Sequence, residues 1–368
     1  MNRWSQFAAV LATGAMVLSA CGAPQQNSRD GGGDGGLPTS VNLMVPYSAG
    51  GGTDTWARFV APYIEKHLEG EPSVLVENVP GGESITGTNK YVTDGDTSGE
   101  TLLVTTATTY FQDLLKHPSA KFDFSTLRPL MVNGTGGVVY ASSASGIKTV
   151  KDLVDLEEPA KYAGISATGL DLSMLQAADV LGAKIEPTFG FEGRGPARLA
   201  LERGEVDVDY QTTSAYLSQV EPLVEEGKAV PLFTFGMLED GEVVRDPTLK
   251  DIPTLEEVYE EINGSAPEGP GYDAYRSFLI PGYVYQKGIW ANEGTSDEVV
   301  EAFNKAAAEI AEDSEFVEKA EDVLGGYPLL PGNDASDELT DAFNLSDDTR
   351  QYALDMLEDD YGVTVETK

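Results

Sequence analysis

Val41-Asn42-Leu43-Met44-Val45-Pro46-Tyr47-Ser48-Ala49-Gly50-Gly51-Gly52-Thr53-Asp54 reads as a short apolar strand that runs directly into a loop of small residues. Behind it, Trp56, Phe59, Val60, Tyr63, Ile64 and Leu68 recur at the i, i+3, i+4, i+7 spacing of one buried helical face. Pro62 falls inside that stretch and predicts a kink. Strand, loop and helix in immediate succession are the repeating unit of an open α/β sheet.

Working outward, the unit recurs. A strand is predicted over 73–77, then a glycine-broken turn at Asn78-Val79-Pro80-Gly81-Gly82, then a helix through Lys90. Another strand at 101–105 ends in Thr106-Ala107-Thr108-Thr109. A second set begins near residue 140, with a helix at 150–156, strands at 162–165, 184–189, 206–210 and 230–235, and helices between them. Ser166-Ala167-Thr168-Gly169 and Gln211-Thr212-Thr213-Ser214 are its strand-to-helix loops, and Asp171 opens the first of the helices that follow. From 288–291 the chain enters a long helix over 296–311. Thr295 is its predicted N-cap, Glu298 completes a capping box, and Val299, Val300, Phe303, Ala307 and Ile310 form its core face. Residues 238–285, with Tyr272, Tyr275, Tyr283 and Tyr285, carry no clear period and read either as a wall of a cleft or as a surface excursion.

One device is common to the first loop (Ser48 to Asp54), the second (Ser166 to Asp171) and the third (Gln211 to Ser214). Each places small or hydroxyl residues before a helix, whose first N–H groups and positive dipole end suit an anion, often a carboxylate. Gly50, Gly51 and Gly52 allow backbone amides a close approach. In open α/β sheets such loops gather at the carboxyl ends of the strands, where ligands bind. Taken one at a time, each is also what any α/β protein shows at a capped helix start, so Asp54 and Asp171 read equally as caps.

Composition narrows the rest. The 368 residues hold 61 acidic and 24 basic side chains, a formal net charge of −37. So acidic a chain repels nucleic acid and anionic lipid head groups, and reads most simply as a solvated surface suited to a salty habitat. Two histidines, His67 and His117, and no cysteine beyond Cys21 leave little for hydrolytic or metal chemistry and nothing for disulfides. The first loop lacks the Gly-Lys-Ser/Thr of a Walker motif, and no GxSxG elbow occurs. No catalytic residue, metal or cofactor is indicated.

At the amino end, Arg3, the apolar run from Phe7 to Leu18 and Leu18-Ser19-Ala20-Cys21 resemble a bacterial lipoprotein signal. That resemblance implies cleavage of residues 1–20, lipidation of Cys21 and a flexible tether over 21–40. About 330 residues remain, room for two α/β lobes.

The loops also resemble those of a family. Val45-Pro46-Tyr47-Ser48-Ala49-Gly50-Gly51-Gly52-Thr53-Asp54 is similar to the opening loop of the substrate-binding proteins of tripartite tricarboxylate transporters, the TctC or Bug family. Glu77-Asn78-Val79-Pro80-Gly81-Gly82, Ser98-Gly99-Glu100-Thr101-Leu102-Leu103, Gly204-Glu205-Val206-Asp207, Asp251-Ile252-Pro253-Thr254-Leu255-Glu256-Glu257 and Glu293-Gly294-Thr295-Ser296-Asp297-Glu298-Val299-Val300 follow in the family's order. The resemblance implies an α/β, two-lobe periplasmic-binding-protein fold (type II, Venus flytrap) with mainly parallel sheets. Lobe 1 then spans 41–139 and returns over 286–368, with lobe 2 at 140–285.

It further implies an extracytoplasmic, monomeric receptor, anchored through Cys21, that passes a small organic carboxylate to an integral-membrane permease. Ligand contacts fall on Tyr47, Ser48, Gly51, Gly52 and Thr53 of the first loop, with Asp54 chiefly orienting it or, as an alternative, taking a ligand amino group. Ser166, Ala167, Thr168 and Gly169 of the second loop face them, and Thr106, Thr108, Gln211 and Thr212 line the rest. The second loop carries less glycine than the family's. Arg194 and Arg198 at a glycine-rich helix start suit either a second ligand carboxylate or nearby acids. An ABC importer or sensor kinase remains an alternative partner, and an extracellular enzyme or a purely structural surface protein an alternative role.

Overall fold

The computed structural model describes residues 36–239 and 241–368. The leader, Cys21 and nearly all of the predicted tether lie outside the described residues.

Thirteen strands are described: β1 (Ser40–Val45), β2 (Ser73–Asn78), β3 (Thr101–Thr106), β4 (Arg128–Asn133), β5 (Gly137–Ser142), β6 (Ala160–Ala163), β7 (Ile185–Thr188), β8 (Val208–Thr212), β9 (Ala229–Thr234), β10 (Met237–Glu239), β11 (Glu242–Val244), β12 (Lys287–Ala291) and β13 (Leu329–Pro331). They form a six-stranded sheet, β13-β4-β12-β3-β1-β2, a five-stranded sheet, β7-β6-β8-β5-β9, and the hairpin β10-β11.

The two sheets answer to the expected two-lobe class, but their strand directions are mixed. β1 runs parallel to β2 and β3, and β6 parallel to β7 and β8. β12 is antiparallel to β3 and β4, β13 to β4, and β5 to β8 and β9. Chain path explains most of this. β5 and β12 are the strands by which the chain arrives from the other sheet, so each starts at the end where its neighbours finish. Two crossings join the sheets, residues 134–136 and 235–286. They run side by side, with the Thr135 N–H donating to the Tyr283 carbonyl at 2.9 Å.

Apolar burial follows the sequence pattern. Trp56, Val60 and Ile64 of the Gly52–His67 helix, with Leu68 just past its end, pack with Val299, Val300, Phe303, Ala307 and Ile310 of the Asp297–Glu312 helix against Val41, Leu43 and Val45. Burial of each Val, Leu, Ile or Phe among them stabilises the fold by about 1.5–3 kcal/mol. Phe59 is only partly buried and meets the Phe316 ring at 5.2 Å. The N-cap of the later helix is Ser296, whose hydroxyl accepts from the Val299 N–H. Thr295 is buried one residue earlier, and its Oγ1 has no partner.

The stretch over 238–285 does not line the cleft, and only its earlier part, the hairpin and the turns around it, runs along the surface. It supplies the β10-β11 hairpin, helices Leu255–Asn263 and Pro270–Leu279, and a wide turn at Ile280–Val284. Tyr283 stacks on Phe235 at 4.6 Å and Phe278 meets Phe111 edge-on at 5.0 Å, so its later part fills the core between the sheets. The closing helix, Asp347–Tyr361, touches both sides of that core. Arg350 Nε donates to the Leu114 carbonyl at 2.7 Å, while the Tyr352 hydroxyl donates to Asp179 at 2.9 Å.

Candidate functional site

A cleft of about 450 Å³ opens where the carboxyl ends of β3 and β8 meet the amino end of β12. Tyr47, Gly52, Thr53, Thr106 and Thr108 line it from the first sheet's side. Ser166, Gly169 and Thr212 line it from the second's. Eight predicted site residues therefore share one cavity.

The first loop is held from behind. The Gly50 N–H donates to Asp54 Oδ2 at 2.8 Å, and the Asn78 amide donates to Asp54 Oδ1 at 2.9 Å and to the Tyr47 carbonyl at 3.0 Å. Arg58 pairs with the same carboxylate at 3.0 Å. Arg58, joined by the Gly50 and Asn78 donors, holds the Asp54 carboxyl down at about 2. Asp54 is thus buried and ionised in the service of loop shape. The helix begins after Gly51 with no side-chain cap, which leaves its first amides to the cleft.

Other predicted residues sit beside the cavity. Ser48 is exposed and its carbonyl accepts from the Gly51 N–H at 3.4 Å, while Ala167 is buried under the second loop. Gln211 faces the other way, because alternate residues of a strand point to opposite faces. Thr212 and Tyr210 reach the cleft. Gln211 instead donates to Asp209 at 3.2 Å and to the Arg194 carbonyl at 3.1 Å.

The second loop already holds a carboxylate. Glu83 Oε2 accepts from the Ser166 hydroxyl at 3.2 Å, the Thr168 hydroxyl at 3.4 Å and the Gln112 amide at 3.1 Å. Glu83 belongs to the turn after β2, so these bonds span the cleft. Glu83 and Ser84 have φ of 51° and 81°, two consecutive non-glycine residues in the left-handed region. Such strain persists only where the surroundings enforce it.

Two cations line the cleft as well, Arg194 and Lys287. Arg194 bridges Asp171 and Asp209 at 2.5 Å each, donates to the Tyr162 hydroxyl and the Ala163 carbonyl, and lies 4.4 Å above the Tyr210 ring centre. Burial pushes Asp209 up to about 6 despite the guanidinium beside it. Asp171 also accepts the Ile165 and Ser166 N–H groups, so it shapes the second loop. Arg198 pairs with Glu202 and Gln219 outside the cavity. Lys287 is half-buried and donates to Gln286 Oε1 at 2.5 Å; among the described residues no carboxylate pairs with it. Desolvation alone holds its amine down at about 8.

Sequence reasoning left out Glu83, Gln286 and Lys287. The only available signal was the Pro-Gly-Gly turn immediately before Glu83. The described residues contain no group of three or more His, Cys, Asp or Glu side chains arranged to hold a metal ion.

No family profile matches the chain. It is 30% identical over 228 residues to a UPF0065 protein of Agrobacterium vitis encoded in the TAR-I ttuE–ttuC′ intergenic region, a match that takes in 59% of this chain and 60% of that protein. The chain therefore matches 60% of that relative's length, less than two thirds. The solved periplasmic binding protein BugD has a TM-score of 0.60 at 22% identity, over 88% of this chain and 98% of that one. A TctC solute-binding protein from Polaromonas, without ligand, has a TM-score of 0.62 at 19% identity, over 87% and 98%. An R. palustris protein solved with adipate has a TM-score of 0.61 at 21% identity, over 85% and 97%. The two-sheet architecture is the periplasmic-binding-protein fold, and the resemblance carried by the loop motifs agrees with a UPF0065 homologue and Bug- and TctC-type structural neighbours.

Proposed function

We propose, from the fold and the UPF0065 relative, that this chain is an extracytoplasmic solute receptor. It captures a small organic carboxylate between its two lobes and delivers it to a tripartite tricarboxylate-type permease. In this reading Cys21 carries the lipid anchor and the protein works as a monomer without catalysis; the lobes follow the two sheets and divide at the crossings 134–136 and 235–286, so the expected boundary at 139/140 moves to the start of β5 at Gly137. The observation that carries the reading is the cleft itself. Uncapped helix amides, threonine hydroxyls and one cation without a carboxylate partner converge there at strand ends, the place where open α/β sheets take ligands. The adipate held by one structural neighbour supports the ligand class.

A thermal-shift screen of residues 37–368 tests it. Ligand that binds only the native state at ~100 times Kd adds ~2.7 kcal/mol. Stabilisation by organic acids, with none by neutral sugars, is the expected result. Stabilisation by sugars alone would overturn the carboxylate reading.

A further inference from the structure

Glu83 and Lys287 line the same cleft but have different neighbours. The second loop, whose hydroxyls were expected to hold the solute's carboxylate, donates instead to Glu83. A solute carboxylate would have to displace Glu83 from the Ser166, Thr168 and Gln112 donors to lie there. Lys287 has the opposite character. It starts β12, paired in register with Thr106 of β3 and Asn133 of β4, so its position is fixed by two strands. Gly52, Thr212 and Lys287 also line an adjoining hollow of about 320 Å³ to which Glu83 does not contribute. The cation therefore sits with the helix amides, and not among the donors that hold Glu83. Arg194 is a weaker second anion site, because Asp171 and Asp209 already neutralise it, although its Nε has no partner among the described residues.

Resting on the carboxylate reading above, we infer that the solute carries a single carboxylate, paired with Lys287 beside Gly52, and that Glu83 selects a hydrogen-bond donor at the solute's other end and rejects a second carboxylate. A half-buried ammonium without a carboxylate partner gains most from an anionic ligand, whereas a carboxylate facing the exposed Glu83 adds a like-charge repulsion that water and salt only partly screen. An ammonium or hydroxyl end meets Glu83 as a donor meets an acceptor. The strained backbone at Glu83 and Ser84 is consistent with a carboxylate held in place for this task.

Two matched series separate the possibilities in calorimetric titration: succinate, 4-hydroxybutyrate and 4-aminobutyrate; and adipate, 6-hydroxyhexanoate and 6-aminohexanoate. In at least one series the wild-type protein should bind the hydroxy or amino acid tenfold or more tightly than the dicarboxylate. Glu83→Gln should erase that preference by tightening dicarboxylate binding. Lys287→Met should weaken every ligand thirtyfold or more, and Lys287→Arg should restore most of the loss, which separates lost charge from lost fold. Equal or tighter binding of dicarboxylates by the wild type overturns the role of Glu83. Unchanged binding by Lys287→Met overturns the pairing while leaving the carboxylate reading intact. Binding of none of the six acids overturns both.

Discussion

Replacing Arg194 with Met should destabilise the protein by about 3–4 kcal/mol at pH 7.5 and by distinctly less at pH 5. The side chain is largely buried and holds two carboxylates at 2.5 Å each. Asp209, raised from 3.8 to about 6 by burial, already costs the fold about 3 kcal/mol at neutral pH, at 1.36 kcal/mol per unit. Without the guanidinium its carboxyl rises further, but proton uptake sets a ceiling of about 2 kcal/mol for the remaining interval to pH 7.5. Lost hydrogen bonds to the Tyr162 hydroxyl and the Ala163 carbonyl add about 1 kcal/mol each. The total falls at the low end of the range for breaking a buried pair.

The pH sign follows from the same group. A carboxyl raised above its unfolded value leaves the native state with the extra proton, so stability from Asp209 falls as pH rises from about 4 to 6 in the wild type. In the variant the fall continues past 7, and the gap between the two proteins widens with pH. Urea unfolding at pH 5 and 7.5 reads this directly. Arg194→Met with Asp209→Asn should recover much of the loss at pH 7.5. A penalty equal at both pH values, or below about 1 kcal/mol at either, would refute the reasoning.

Three further outcomes are expected. Asp54→Asn should lower the urea midpoint above pH 4 and converge with the wild type as pH falls toward 2, because a depressed carboxyl contributes stability that is lost on protonation. A wild-type midpoint that does not fall toward that of Asp54→Asn over this range would remove the loop-holding role. Gly136→Ala should cost about 1–3 kcal/mol in thermal or urea unfolding, since a Cβ there would overlap the Asp246 carboxylate and crowd Thr213 and Tyr327 at the crossing between the sheets. Carboxylate affinity should fall about tenfold between pH 8 and 10 as Lys287, near 8, loses its proton, and a flat calorimetric profile would count against that pairing.

The first loop was legible because its chemistry is local. Val41 to Asp54 states strand, glycine turn and helix in one run, and Tyr47, Gly52 and Thr53 reach the cleft accordingly. Gln211 was misplaced for an equally local reason: the predicted strand stopped at Tyr210, whereas β8 continues to Thr212 and its alternation turns Gln211 inward. Lys287 was invisible. Nothing in Gln286-Lys287-Gly288 separates it from a surface lysine. Its surroundings come from pairing with Thr106 and Asn133, each more than a hundred residues away. Glu83 needed the same kind of knowledge, since its partners Ser166 and Thr168 lie beyond a crossing between sheets. The mixed strand directions depend on where the chain re-enters each sheet, which periodicity does not encode.

The closing helix has a consequence for motion. Its Arg350 holds the Leu114 carbonyl on one flank and its Tyr352 holds Asp179 on the other. The helix also packs on the Pro270–Leu279 helix of the second crossing, so it braces the paired crossings from the side. Movement of Leu114 and Asp179 apart would have to break one of those two bonds. In the proposed receptor, release of a solute then depends in part on a contact outside the cavity that holds it. Weakening Tyr352–Asp179 should speed release while leaving every group that touches the solute in place.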